Sequence, residues 1–393
     1  MNRSSQKQKR RICFVTGTRA EFGLMQSTLR AIQAHPKLEL QLVATGMHLD
    51  PAYGKPMAAI QASGFRTSAA FPWARYGNLP PDTTADATGA AISAFSVVFA
   101  ELSPDVVLLV GDRVEAFAAA SAAHISQIPV AHVHGGDRAL GQIDDSLRHA
   151  ITKLSHIHFP ATRESARRIE RMGEDAWRIK LVGSPGIDGI TKDVGPFSIL
   201  QNELPWLKPQ RYPLVLMHPT FQDEEVELDR MSTVTTALRA IPFEILIFIY
   251  PNNDPGSAGI IRHLNQNKRM LDNAYAAVFH KDLPRSQFLT YLKHAAVLVG
   301  NSSSGIIEAA SFGTPVINVG DRQKGRERNK NVIDVPASVS GIRRALKKVW
   351  NNGHPIRFPK KNIYGSGRTS QKIAHILATI PLDERLRHKL IAY

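Results

Sequence analysis

The stretch LVGNSSSGIIEAA, Leu298 to Ala310, places three serines between an apolar run and residues at helical spacing, Ile306, Ile307 and Ala310. The serines therefore occupy a strand-to-helix turn, where free backbone N–H groups collect at the positive end of a helix. A single serine there is explained by N-capping. Three hydroxyls at Ser302, Ser303 and Ser304, with Gly305 permitting close approach and Glu308 able to accept from a ribose, read better as a phosphate-binding turn.

Polar residues gather at the other strand ends too. RICFVTGT runs into Arg19 and Glu21, LQLVATG into His48, and DVVLLVGD brings Asp112, Arg113 and Glu115. The stretch HVHGGDRALGQIDDSLRH carries His132, His134, Asp137, Asp144 and Asp145. Further on, His218 stands in MHPT, Asn253 and Asp254 in YPNNDPG, and Arg322 in GDRQKGR. One such residue alone is ordinarily a hydrogen-bonding loop residue. Many at one sheet edge point to a site, because open α/β sheets bind ligands beyond the carboxyl ends of their strands. Arg19, at a strand-to-helix turn, suits bidentate contact with a phosphate. His132 and His134, separated by one strand residue, are expected to point the same way like metal ligands. With no cysteine nearby and no zinc spacing, the pair is assigned to binding or proton transfer and no metal is expected.

The elements that must hold these residues alternate. Apolar strands, including RIKLVGS as the last of the first series, are separated by helical stretches such as Leu24 to Ala34 and Gly89 to Leu102, which specifies a parallel sheet covered by helices. Residues 193–212, with several prolines, break the pattern and read as a linker. PLVLMHP, FEILIFIYPN, AAVFH, AAVLVGN and TPVINVG then restart it. The expectation is an α/β chain with a first domain over 12–192, a second starting at 213, and a cleft where the two face each other. The first turn, GTRAEFG, has Arg19 and Phe22 where a G-x-G-x-x-G fingerprint needs glycine, which disfavours a nicotinamide cofactor. A nucleoside diphosphate fits better, clasped between the serine turn and Arg19.

Composition narrows the class. The 393 residues favour two domains, and a single cysteine, Cys13, excludes a disulfide framework and fits a reducing, cytoplasmic setting. No apolar run approaches the roughly 18 residues of a membrane span. The net charge of +15 resides at the ends: residues 1–11 hold five basic side chains and no acidic one, and residues 342–393 hold twelve against Asp383 and Glu384. The body is balanced and poor in aromatics, so no specific nucleic-acid groove is expected. Residues 1–11 read as a disordered basic leader.

Taken in order, TGTRAEFG, TGMHL, GDRVE, HVHGGD, GQIDDSLRHAITKLSHIHF, MHPT, PNNDPG, GNSSSGIIEAASFGTPVINVGDRQKGR and NVIDV resemble the hydrolysing UDP-N-acetylglucosamine 2-epimerases of sialic acid and related nonulosonate pathways. The resemblance runs from about Ile12 to Val335. It implies a GT-B architecture, with two Rossmann-like domains over 12–192 and 213–362 and a C-terminal helix in 363–393, YGSGRTSQKIAHIL, crossing back to the first. The implied reaction converts a UDP-2-acetamido sugar into UDP and a 2-epimerised sugar such as N-acetylmannosamine, through C2 proton removal, loss of UDP and hydration of a glycal. It demands no redox cofactor and no metal. The resemblance assigns catalysis to Asp112, Asp144 and His218. It assigns UDP or UDP-sugar binding to Arg19, Arg113, Asn253, Ser302, Ser303, Glu308 and Arg322, and Ser304 and His48 join these as binding candidates. Animal members have a glutamate where this chain has His134, and many relatives have Glu at Asp137. His134 is thus the candidate for the glutamate's acid/base role.

The expected substrate is UDP-N-acetylglucosamine, giving N-acetylmannosamine, with a 4-acetamido sugar of the bacillosamine type as the alternative. A GT-B glycosyltransferase, a UDP-sugar binding protein without activity and a non-hydrolysing epimerase are the alternatives. A homodimer or dimer of dimers is the expected assembly.

Overall fold

The computed structural model describes residues 9–49, 56–72, 81–138, 144–251, 256–275, 277–281 and 283–393. The chain divides into two compact units, Met1–Asp188 with Tyr364–Tyr393, and Gly189–Ile363.

The first unit runs β1 (Arg10–Thr16), α1 (Arg19–Ala34), β2 (Leu38–Ala44), α2 (Pro56–Ala62), β3 (Ala69–Ala70) and α3 (Pro81–Leu102). It continues with β4 (Val106–Val110), α4 (Val114–Ile125), β5 (Val130–Val133), α5 (Asp144–Leu154), β6 (Ile157–Phe159) and α6 (Arg163–Arg171). The strands form one parallel sheet in the order β3-β2-β1-β4-β5-β6. Parallel strands covered on both faces need apolar side chains on both. Thus Ile12 and Phe14 of β1 pack with Leu29 of α1 on one face, while Cys13 and Val15 pack with Phe95 and Phe99 on the other.

Two local expectations meet a different outcome. β1 opens at Arg10, inside the stretch read as leader, because its N–H reaches the Lys37 carbonyl and the Arg11 N–H reaches Asp105. RIKLVGS is not a strand. Lys180 and Val182 donate to the His158 and Pro160 carbonyls beside the edge strand β6, but only an isolated bridge at Ile179 results before the chain turns at Gly183. Within α3, Ala85–Leu102 is long and apolar enough by length and composition to cross a membrane. Its small residues hide this in the sequence, and its Ala91, Phe95 and Phe99 pack into the unit's core.

The second unit contains α7 (Ser198–Gln201), β7 (Pro213–Leu216), α8 (Glu224–Leu238), β8 (Leu246–Ile249), α9 (Ser257–Tyr275), β9 (Ala277–His280) and α10 (Arg285–His294). Next come β10 (Val297–Gly300), α11 (Ser303–Ile307), β11 (Val316–Val319), β12 (Val332–Val335) and α12 (Val339–Trp350). Its parallel sheet has the order β12-β11-β10-β7-β8-β9. Residues 193–212 lie within this unit and hold α7.

The chain then returns to the first unit with α13 (Thr369–Thr379) and α14 (Glu384–Arg387), as the crossing helix required. Asp188 accepts from the backbone of Thr369 and Ser370 at the start of α13, and Ile373 and Leu377 enter the core beside α1. The buried Arg178 guanidinium donates to the carbonyls of Arg385, Leu386 and His388 at 2.8, 2.8 and 2.9 Å. Lys389 follows, its Nζ 2.8 Å from the Ser155 carbonyl and 2.8 Å from the buried Glu174 carboxylate.

Candidate active site

Each sheet changes its direction of winding once, between β1 and β4 in the first unit and between β7 and β10 in the second. Such switch points leave a crevice at the strand carboxyl ends. Arg19 and the Asp112–Arg113 pair follow the strands of the first switch, and His218 and the serines those of the second. The side chains of Arg19 and Asp144, and Asn253 as a whole, lie outside the described residues.

At the first switch, Thr18 caps α1 by accepting from the Glu21 N–H, while the Glu21 carboxylate accepts from the N–H groups of Gly17 and Thr18 at 2.9 and 3.0 Å. Glu115 lies against the same turn, and a Cβ on Gly17 would come within 2.8 Å of its Cγ. Burial, and then the charge of Glu115, push the Glu21 carboxyl up to about 7. Arg113 reaches Glu115 through Nε and Nη2. His48 is buried in the wall, its Nε2 3.0 Å from Thr16 Oγ1 and its ring edge-on to Phe22.

Asp112 pairs with Arg148, a buried guanidinium on α5 that also donates to the Asp137 carbonyl at 3.1 Å. His134 has a left-handed backbone, φ 64°, so the strand alternation that would aim it with His132 stops at Val133. The two rings accordingly have separate partners. His132 Nε2 lies 2.8 Å from the Gly111 carbonyl, and burial pushes this imidazole down to about 3. His134 Nδ1 lies 2.8 Å from Asp137 Oδ2 and its Nε2 3.0 Å from Ser184 Oγ. Among the described residues, no group of three His, Cys, Asp or Glu is arranged to hold a metal ion.

At the second switch, the Asn301 side chain clasps the second residue beyond β7: its Oδ1 accepts from the His218 N–H at 2.7 Å and its Nδ2 donates to the His218 carbonyl at 2.8 Å. The Asn301 carbonyl receives Arg322 and Gln323 at 3.2 and 2.9 Å. Burial, and then the charge of Arg322, push the His218 imidazole down to about 3, so it is neutral at physiological pH. Ser302 caps α11 through the Ser304 N–H, leaving Ser303 and Ser304 half-buried on its first turn. Glu308 pairs with Arg285 at 2.6 Å through Oε1, while its buried Oε2 has no hydrogen-bond partner among the described residues. Beside this edge, a cavity of 690 Å³ is bordered by Thr220, Phe221, Arg230, Lys324 and Arg326.

The structure adds residues that sequence reasoning did not single out. Asn301 stands next to the serines in GNSSSG and was legible by position. Arg148 follows Asp144 and Asp145 by one helical turn, an i to i+4 and i+3 signal. Nothing in the sequence marks Ser184.

Two doubly wound parallel sheets, with their chemistry gathered at both switch points, define the GT-B class. The family model described as UDP-N-acetylglucosamine 2-epimerase matches residues 30–378, and the chain belongs to that family. It is 39% identical over 386 residues to the Legionella pneumophila protein named UDP-N,N'-diacetylbacillosamine 2-epimerase (hydrolyzing), covering 98% of this chain and 100% of the relative. To a Neisseria meningitidis serogroup B UDP-N-acetylglucosamine 2-epimerase it is 32% identical over 360 residues, 92% of each chain. A solved UDP-GlcNAc 2-epimerase of Neisseria meningitidis, bound to UDP-GlcNAc, shares the fold with a TM-score of 0.77 at 18% identity, over 93% of this chain and 99% of that one.

Proposed function

We propose that this chain is a hydrolysing 2-epimerase of UDP-linked 2-acetamido sugars, acting on a sugar with an acetamido group at C4. The observation that carries this reading is the 39% identity, along 98% of the chain, with a relative whose name states both the hydrolysis and the diacetamido substrate. UDP-N-acetylglucosamine is the second substrate reading, favoured by the 32% identical Neisseria relative.

In this reaction a base takes the C2 proton as the C1–O bond breaks, the bonding electrons leaving with UDP. Water then adds across the C1–C2 double bond, hydroxyl to C1 and proton to the opposite face of C2. Two proton carriers are needed, and the pool is Asp112, His134, Asp144 and His218. Arg148 holds the Asp112 carboxylate in place. Burial and the charge of Arg322 keep His218 neutral and also lower its basicity, so it accepts a proton only where the substrate's negative charge offsets them. In the second unit, the Ser302–Ser304 hydroxyls and Arg322 are assigned to the diphosphate, and Glu308 Oε2, without a hydrogen-bond partner among the described residues, to a ribose hydroxyl. Arg19, His48, Arg113 and Asn253 complete the binding set, and stabilising the departing diphosphate is an oxyanion-hole type of contribution.

An NMR time course with each UDP-sugar and no acceptor tests this. The expected result is free UDP plus a free 2-epimerised sugar, faster from the diacetamido substrate. UDP retained on the product would identify a non-hydrolysing epimerase, a requirement for an acceptor a glycosyltransferase, and an intact sugar a binding protein.

A further inference from the structure

The His134 imidazole is held at both nitrogens by side chains of its own unit. Nδ1 lies 2.8 Å from Asp137 Oδ2, and the other oxygen of Asp137 accepts from Ser165 Oγ at 2.7 Å. Nε2 lies 3.0 Å from Ser184 Oγ, whose hydroxyl oxygen also accepts from the Gly186 N–H at 3.3 Å. Ser184 is fully buried and His134 is 7% exposed. The backbone of His134 adopts the left-handed region, with its N–H fixed by the Phe159 carbonyl at 3.2 Å. A non-glycine residue kept in that region and bonded at each ring nitrogen has its position over-determined by the surroundings.

The chemistry of the two partners differs. A carboxylate only accepts, so Asp137 keeps a proton on Nδ1 and directs proton exchange to Nε2. A hydroxyl both donates and accepts. Ser184 donates to a neutral Nε2 and, after rotation about its C–O bond, accepts from a protonated one. The ring therefore gains and loses a proton without losing its hydrogen bond. The other charged or titratable groups near it are His132 on β5, Arg148 from α5, which donates to the Asp137 carbonyl, and Arg168 from α6, which donates to the Gly136 carbonyl. Among the described residues, Asp137 and Ser184 alone bond the ring itself.

We infer that Asp137 and Ser184 are positioning residues that make His134 a one-site proton carrier, with Asp137 fixing the tautomer and Ser184 serving both protonation states. This rests on the epimerase reading only for the use to which the proton is put. The protonation chemistry stands apart from it.

Two measurements test it on the full chain. The first reads the His134 ring tautomer from its nitrogen-15 resonances by NMR, assigned with His134→Gln. The neutral ring of the wild type is expected to carry its proton on Nδ1, and Asp137→Asn to lose that preference, because an amide offers a donor as well as an acceptor. Asp137→Glu restores it. An unchanged tautomer in Asp137→Asn overturns the inference, whatever the activity. The second measures steady-state UDP release. Asp137→Asn is expected to lower kcat about 100-fold or more with KM little changed, as loss of a tautomer-fixing carboxylate does. Ser184→Ala is expected to lose about tenfold, the effect of one hydrogen bond, and Ser184→Thr to recover it. A loss confined to KM overturns the positioning role. Absence of UDP release from the wild type would instead remove the epimerase reading, with the ring tautomer still decisive for Asp137.

Discussion

Arg113 meets Glu115 through two separate nitrogens, Nε 3.2 Å from one carboxylate oxygen and Nη2 3.3 Å from the other. The carboxylate is nearly buried while the guanidinium is half exposed, so the acid anchors and the cation presents. Glu115→Gln is expected to loosen Arg113 and raise KM for the UDP-sugar about fivefold, corresponding to about 1 kcal/mol for a partly exposed pair. Steady-state UDP release and calorimetric titration with UDP check this. Unchanged affinity would show that Arg113 needs no anchor.

Gly300 closes β10 at the second switch with φ 149°, and a Cβ there would stand 1.9 Å from the Leu216 carbonyl of β7. Gly300→Ala must push apart two paired strands directly beneath Asn301 and His218. The expected loss is more than about 2 kcal/mol of stability, together with UDP binding. Urea denaturation with a wild-type midpoint would contradict it.

The buried histidines and Glu21 impose opposite pH dependences. His132 and His218 have folded-state values near 3 against an ordinary 6.5, so the stability they contribute is present above 6.5 and is lost as pH falls from there toward 3. Glu21, raised from 4.5 to about 7, contributes stability below 4.5 that is lost as pH rises toward 7. Glu21→Gln should therefore flatten the decline between those two values. Thermal denaturation across the range, wild type against variant, reads the difference.

Glu174 is fully buried among His158, Lys153 and Lys389. Burial alone would raise its carboxyl, but hydrogen bonds from these three hold it at about 2, so its contribution is present above the ordinary 4.5 and is lost as pH falls toward 2. Lys389→Met removes one partner and is expected to cost about 3 kcal/mol, with acid unfolding moved to higher pH. Adding Glu174→Gln should recover part of the loss. A double-mutant cycle in urea measures the coupling, and simple additivity would rule it out.

Runs such as VVLLV and LIFI were legible because strands covered on both faces must be apolar throughout, and the serine turn because its residue types are unusual between a strand and a helix. β3 was not. Two alanines carry no pattern, and only pairing with Val43 and Ala44 makes them a strand. RIKLVGS failed for the converse reason, an apolar run at a sheet edge that never completes a ladder. At the candidate site, residue types at strand ends were readable one by one. Their partnerships were not: Asp112 with Arg148, or His134 with Ser184, depends on segments brought together by packing that local pattern does not encode.

The return of α13 to the first unit has a consequence for biosynthesis. A ribosome delivers Ile373 and Leu377 only after residues 189–363, so the unit that holds β1 to β6 waits for these core side chains until the other unit has been made. The uninterrupted lobe, 189–363, has all its residues before them and is free to consolidate earlier, reversing the usual order in which amino-terminal domains mature ahead of later ones.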